Sequence, residues 1–229
     1  MIKPGDVISY WEMCSEEGSS LQRGMNFHLK GRNVSVILMS LRPNAPYADR
    51  VEENGKVLIY EGHDISRREV TGNPKSVDQP SRDSDGSPTQ NLLFYDAAIR
   101  CKNDKPEPEL VKVYEKLKPG IWVFNGLFRL VNAWQEASDG RQVFKFRLEI
   151  AEGKEIEDTT DLEHSRLIPS NVKLEVWKRD KGQCIKCHRK DNLHFDHVLP
   201  YSKGGTSLLV ENIQILCARH NLQKRAKIE

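Results

Sequence analysis

Cys184-x-x-Cys187 and Cys217-x-x-His220 place four soft ligands in two pairs, each spaced by two residues. A tight turn can present both members of such a pair to one ion. Four protein ligands make a closed tetrahedral zinc site, the kind that holds a fold together. Inside this frame lie Asp196-His197, Asn212 and, one residue past the last soft ligand, Asn221. A carboxylate suits a hard ion such as Mg²⁺ or Mn²⁺. A neutral imidazole beside it can take a proton from water. A hard ion that stabilises charge on a phosphoryl group, next to a base that activates water, is the equipment of phosphodiester cleavage. An isolated Asp-His pair is better read as a capped loop and a surface histidine; the zinc frame and the two asparagines favour chemistry here.

The elements that must hold these groups can be outlined. Pro169-Ser170-Asn171 supplies helix-start chemistry, Val172, Val176 and Trp177 follow at helical spacing, and Lys181-Gly182-Gln183-Cys184 ends the helix and enters the first pair of ligands. Leu193, Phe195 and His197 alternate as in a strand, which puts Asp196 and His197 on opposite faces unless the chain bends near Pro200. The 29 residues between Cys187 and Cys217 leave room for a hairpin and the start of a helix. A unit of roughly 60 residues has little core and commonly needs a staple such as zinc.

The charge is uneven. From Ser165 onward there are 13 Lys/Arg against 6 Asp/Glu, residues 151–164 hold 6 acids and one Lys, and residues 1–150 hold 21 of each sign. The positive charge is thus gathered around the ligand frame, the footprint of a polyanion binder, with Lys178, Arg179, Lys203, Arg219, Lys224 and Arg225 available to grip a backbone. The acidic stretch 151–164 is the expected linker between a domain at 1–150 and another at 165–229. Residues 1–150 read mainly as strands, among them Val34–Met39, Val57–Tyr60, Ile121–Phe124, Leu127–Val131 and Val143–Leu148, with Asn125-Gly126 as a hairpin turn. Residues 62–90, rich in Gly, Pro, Ser, Asp and Arg, read as a long surface loop in which Arg67, Arg68, Lys75 and Arg82 could lie along a groove. Five cysteines, an odd number, and a start without a hydrophobic targeting stretch argue against a disulfide framework and suggest a reducing cytoplasm. No apolar run approaches the ~20 residues that span a membrane, so no membrane partner is expected.

Residues 165–229 resemble an HNH nuclease of the zinc-stapled ββα-metal kind, on the string Phe195-Asp196-His197-Val198-Leu199-Pro200-Tyr201-Ser202-Lys203-Gly204-Gly205 and then Glu211-Asn212 through Cys217-Ala218-Arg219-His220-Asn221-Leu222-Gln223-Lys224. The resemblance implies that Asp196 is a catalytic metal ligand and His197 the general base. Asn212 would be the residue that orients the histidine and fixes the loop, and Asn221 the second metal ligand. Cys184, Cys187, Cys217 and His220 take the structural zinc positions. Cysteine is usual where His220 stands; the alternative is that His220 binds the catalytic metal and zinc keeps three ligands.

Three N-terminal stretches resemble an SRA domain, which flips a modified cytosine out of duplex DNA: Pro46–Arg50 with Val57–Gly62, Thr89–Leu93, and Trp122–Val131 continuing to Val143–Leu148. Phe124-Asn125-Gly126 replaces the family's Tyr-Asp-Gly. A flipped cytosine needs aromatic faces and an acceptor for its amine. The resemblance gives Tyr47 and Tyr60 the stacking role, Asp49 the base edge, and Glu61 a place on the pocket wall. The implied whole is an α+β chain, an SRA-like curved β-barrel followed by a small HNH domain. It is similar to the modification-dependent (TagI-like) restriction endonucleases of prokaryotes, cutting double-stranded DNA that contains 5-methylcytosine or 5-hydroxymethylcytosine, with structural zinc and catalytic Mg²⁺ or Mn²⁺. Cutting two strands implies a homodimer. The competing readings are a non-catalytic reader with a zinc finger and an HNH nuclease indifferent to modification.

Overall fold

The computed structural model describes residues 2–29, 33–104, 107–151, 167–200 and 203–224; most of the acidic linker, and Tyr201, Ser202 and Arg225, lie outside them. The elements are β1 (Asp6–Ser9), α1 (Tyr10–Glu17), β2 (Met25–Asn26), β3 (Ser35–Met39), β4 (Arg50–Glu52), β5 (Val57–Glu61), α2 (Gln90–Asp104), β6 (Glu109–Lys118), β7 (Ile121–Ser138), β8 (Arg141–Ile150), α3 (Ser170–Arg179), β9 (Leu193–His197), β10 (Ile213–Cys217) and α4 (Ala218–Lys224). The mixture of a large sheet with few helices is α+β.

Strand β7 organises the barrel. It is 18 residues long; its first half pairs with β1 and β6, and its second half with β8, which passes the sheet on to β5 and β4. A strand that long must bend to serve two sets of neighbours, and bulges provide the bends. One falls between the Val113↔Gly126 and Tyr114↔Phe124 pairs, leaving Asn125 as the extra residue. Asn125-Gly126 is therefore a bulge within one strand, with Gly126 at φ +104°, and the hairpin turn expected there lies earlier, at Gly120 (φ +76°). Helix α2, which the sequence reading did not resolve, packs across β7 and β8 and covers the barrel core of Phe94, Phe128, Leu130, Phe146 and Leu148.

The C-terminal unit continues the same sheet. Strand β9 pairs antiparallel with β1 (Asp6↔His194, Val7↔Leu193), giving the strand order β10-β9-β1-β7-β6-β3-β2. Phe195 N–H donates to the Gly5 carbonyl at 3.1 Å, and Gly5 N–H to the Phe124 carbonyl at 2.8 Å. The buried cluster beneath β9, β10 and α3 includes Leu117 and Val123 from the barrel. A sequence boundary near 151–164 thus separates two units that share hydrogen bonds and core. Among the described residues no helix is long and apolar enough to cross a membrane.

Candidate nuclease site and base-binding cavity

The four soft ligands converge. Cys184, Cys187, Cys217 and His220 present ligand atoms within 4.8 Å of one another. His220 Nδ1 lies 3.3 Å from Cys184 Sγ and 3.4 Å from Cys217 Sγ, and Cys187 Sγ lies 3.7 Å from Cys217 Sγ. A tetrahedron with Zn–S of about 2.3 Å and Zn–N of about 2.0–2.1 Å has edges of about 3.6–3.8 Å, so the set fits one zinc ion with His220 as fourth ligand. The first pair sits on a knuckle: His188 N–H donates to the Cys184 carbonyl at 2.8 Å, and His188 takes a left-handed φ of 58°. Burial raises the Cys184 thiol, but backbone N–H groups of Cys217, Lys186 and Cys187, with His220, outweigh it and bring it to about 6, towards the thiolate that zinc requires. The second pair spans the end of β10 and the first turn of α4. Zinc here would tie the end of α3, β10 and α4 together.

Asp196 lies on β9 facing α4. Its Oδ2 accepts from Gln214 Nε2 at 3.0 Å and Lys224 Nζ at 2.5 Å. Lys224, expected on the DNA-gripping surface, is instead buried and donates also to the His197 carbonyl. Both bonds fall on Oδ2, which leaves Oδ1 as the oxygen for a cation. Asn221 stands three residues before Lys224, one turn away on the same side of α4, the side that meets β9. Arg179 is engaged by Asp180 and the carbonyls of Val210 and Ile213 but stays exposed, as do Lys178, Lys203 and Arg219.

His197 points to the opposite face of β9. Its Nε2 is 2.9 Å from Ser207 Oγ, and its buried Nδ1 has no partner among the described residues. Burial, helped by Lys224 and His194 against the pull of Asp196, holds the imidazole below its ordinary value and therefore neutral at pH 7. In the tautomer whose Nε2–H donates to Ser207, Nδ1 keeps the lone pair that a general base offers to a water. Asn212 does not hold this ring. Its Oδ1 accepts from Leu199 N–H at 2.8 Å and its Nδ2 donates to the carbonyls of Leu199 and Thr206 at 3.1 and 2.9 Å. It closes the loop that carries Ser207, and Ser207, which the sequence reading missed, reaches the histidine. Gly205 makes the closure possible, because a Cβ there would run into the Leu199 carbonyl and approach Asn212 Nδ2 to 2.9 Å. Gly205→Ala is expected to destabilise the protein by roughly 1–3 kcal/mol, read as a lowered urea midpoint, and to lower cleavage through displacement of Ser207.

The second site is a cavity of about 840 Å³ in the barrel wall, lined among others by Arg23, Tyr47, Asp49, Tyr60, His63 and Trp122. Asp49 is fixed there by backbone donors: Glu61 N–H to Oδ1 at 3.0 Å and Ser40 N–H to Oδ2 at 3.3 Å. Burial raises its carboxyl to about 7 even against those donors. Tyr60 is fully buried, with its hydroxyl 3.4 Å from the Leu38 carbonyl and from His63 Nε2. The Tyr47 ring stacks on His63 at 5.8 Å and carries Lys75 Nζ at 4.6 Å, so part of the 62–90 loop is pinned against it. Gly24 keeps the space open: a Cβ would come within 2.7 Å of His63 and 2.8 Å of the Tyr60 hydroxyl. Three of the four residues expected to form the base pocket thus line one cavity. Glu61 does not line it. It is turned inwards to Lys145 (2.8 Å) and Arg141 (3.4 Å) and accepts from Ala48 N–H at 3.2 Å, so it supports the Tyr47–Asp49 segment from behind.

Residues 184–227 match the HNH endonuclease family. Among solved structures, the chain is similar to the SUVH5 SRA domain in complex with hemimethylated CG DNA (27% identity, 67% of this chain, 91% of that chain, TM-score 0.46). It is also similar to the SUVH5 SRA domain bound to fully hydroxymethylated CG DNA (23%, 67%, 91%, 0.43), and to KRYPTONITE with mCHH DNA, an H3(1-15) peptide and SAH (21%, 71%, 34%, 0.43). No curated protein matches the chain.

Proposed function

We propose that the chain is a modification-dependent DNA endonuclease of the type IV restriction kind, with an SRA-like barrel that takes a flipped 5-methylcytosine or 5-hydroxymethylcytosine and an HNH unit that cuts the backbone. The observation that carries the nuclease half is the HNH match laid over a buried Asp196–His197 pair beside a zinc-fitting Cys₃His cluster. His197 Nδ1 takes the proton of the attacking water, and Ser207 fixes the ring that does so. Asp196 and Asn221 would hold Mg²⁺ or Mn²⁺, which would stabilise the charge that develops on the phosphate and leaving oxygen. Lys178, Lys203 and Arg219 grip phosphates without reading sequence. Two strands require two such sites, so the working form is a homodimer.

The reader half rests on the cavity. Tyr47 and Tyr60 supply faces for the base. A neutral Asp49 carboxyl matches the pyrimidine edge twice over, accepting from the exocyclic amine and donating to the ring nitrogen. The sign of the pH effect follows: the neutral form is present below about pH 7 and lost above it. Of the titratable groups around it, Glu61 further favours the neutral form while Lys145 opposes it; Arg23, Arg42, Tyr47, Tyr60, His63 and Lys116 line the same cavity. Affinity for methylated duplex is therefore expected to fall as pH rises from 6 to 8. Fluorescence anisotropy with the Asp49→Asn variant checks it, because an amide keeps one acceptor and one donor but cannot titrate, so that variant should bind without the pH slope. Equal affinity of the wild type for methylated and unmodified duplex at every pH would remove the reader.

A further inference from the structure

The hairpin of β6 and β7 has two occupied faces. Residues alternate along it: Lys116 and Trp122 line the base cavity, while Leu117, Ile121 and Val123 enter the core of the nuclease unit. The register pairs them in layers, Lys116 with Trp122 and Glu115 with Val123, so the period of two carries one layer to each side of a single strand thickness.

The nuclease face of this hairpin also holds a buried polar cluster. Lys173, on α3, donates to Glu115 Oε2 at 2.5 Å and to Asn125 Oδ1 at 2.7 Å. Asn125 Nδ2 donates in turn to the same Glu115 Oε2 at 3.0 Å, and Ser170 donates to the carboxylate's remaining oxygen, Oε1. All four residues are buried. A carboxylate, an ammonium and an amide that satisfy one another in a dry interface admit one relative placement, because any shift leaves a buried charge without its partner. The bulged Asn125 is needed for this. An aspartate there would set a second carboxylate beside Glu115. At the far edge of the same contact, His194 Nδ1 meets Asp6 Oδ1 at 2.6 Å. A small cavity of about 20 Å³ beside His197 is walled jointly by Pro4, Gly5, Asn125 and Lys173, so barrel residues and the helix bound to them enclose the candidate base.

We infer that the β6–β7 hairpin, locked by Glu115–Lys173–Asn125, is a ruler: it holds the scissile phosphate at one fixed offset from the flipped base. This rests on the proposed reading of the two sites. The acidic linker then sets no distance, since its two ends are joined through the sheet.

The test maps both cut positions on end-labelled duplexes carrying a single 5-methylcytosine, with Mg²⁺ or Mn²⁺ supplied. One dominant phosphate per strand is expected, at the same offset in different flanking sequences. The double variant Glu115→Gln with Lys173→Met removes both charges and leaves neither unpaired. It should bind methylated duplex as the wild type does while the share of product at the dominant phosphate falls severalfold and neighbouring phosphates are cut. A wild type whose cuts scatter over many phosphates would overturn the ruler whatever the variant does. So would a folded double variant that binds normally and keeps the single sharp position. Failure of the underlying reading appears separately, as equal cutting of a duplex without the methyl group.

Discussion

His197→Ala is expected to lower the rate of DNA cleavage by roughly 10²–10⁴-fold, the usual worth of a positioned general base, while binding to methylated duplex is unchanged. The reason is local. The imidazole is buried, neutral and tethered by Ser207 through Nε2, and its Nδ1 is the unpartnered nitrogen beside the Asp196 carboxylate's strand. Removing the ring takes away the proposed proton acceptor and leaves Asp196, Lys224 and the Cys₃His cluster in place. Because the barrel cavity lies on the other face of the β6–β7 hairpin, its affinity has no reason to change. Ser207→Ala should have a smaller effect in the same direction, since the ring survives but loses its tether. Single-turnover rates with gel-shift affinities measured on the same preparations separate the two effects. A His197→Ala protein that cuts at the wild-type rate would remove the catalytic assignment.

Loss of zinc should act on the fold first and on activity as a consequence. A structural zinc contributes apparent binding free energies of about 10–16 kcal/mol in small zinc-finger peptides, against a total stability of about 5–15 kcal/mol for a whole domain. The metal term is therefore as large as all that the C-terminal unit could hold in reserve. Cys184→Ala, or a strong chelator, is expected to unfold α4 and the knuckle, taking Asn221 and Lys224 away from Asp196. Strand β1 would then lose its neighbour β9, so the thermal midpoint of the barrel should fall as well, a coupling that a freely linked nuclease would not show. Calorimetry of the full chain with and without chelator, alongside zinc quantification by mass spectrometry, measures both. A chelated protein with one unshifted transition and full activity would contradict the structural role.

The sequence made some of this legible and hid the rest for identifiable reasons. Ligand spacing is short-range, so the Cys₃His cluster and its knuckle were readable, as were α3 from its Pro-Ser-Asn start and the strand ending at Asp196-His197. Asn125-Gly126 misled because the dipeptide favours a turn, whereas only the long-range register with β6 shows it to be a bulge. Helix α2 carries Asp, Asn, Arg and Lys among its apolar residues and gives a weak periodic signal. Lys173, Lys224, Glu115 and Glu61 are charged types that ordinarily face water. Their burial follows from ion pairing with residues 28 to 84 positions away, and nothing local announces it. The linker's composition suggested separation, but the pairing of β1 with β9 is a contact between positions almost at opposite ends of the chain.

Whether the cavity chooses the DNA and the Asp196–His197 site cuts it is decided by one comparison. Plasmids carrying 5-methylcytosine, 5-hydroxymethylcytosine or unmodified cytosine are incubated with the wild-type protein and Mg²⁺ or Mn²⁺. A methyl group held in a fitted pocket is worth roughly 10–200-fold, so the modified plasmids should be cut faster by a factor in that range. The Asp49→Ala variant should lose that preference. Cleavage of all three plasmids at the same rate would contradict the account, leaving a nuclease whose barrel serves another ligand.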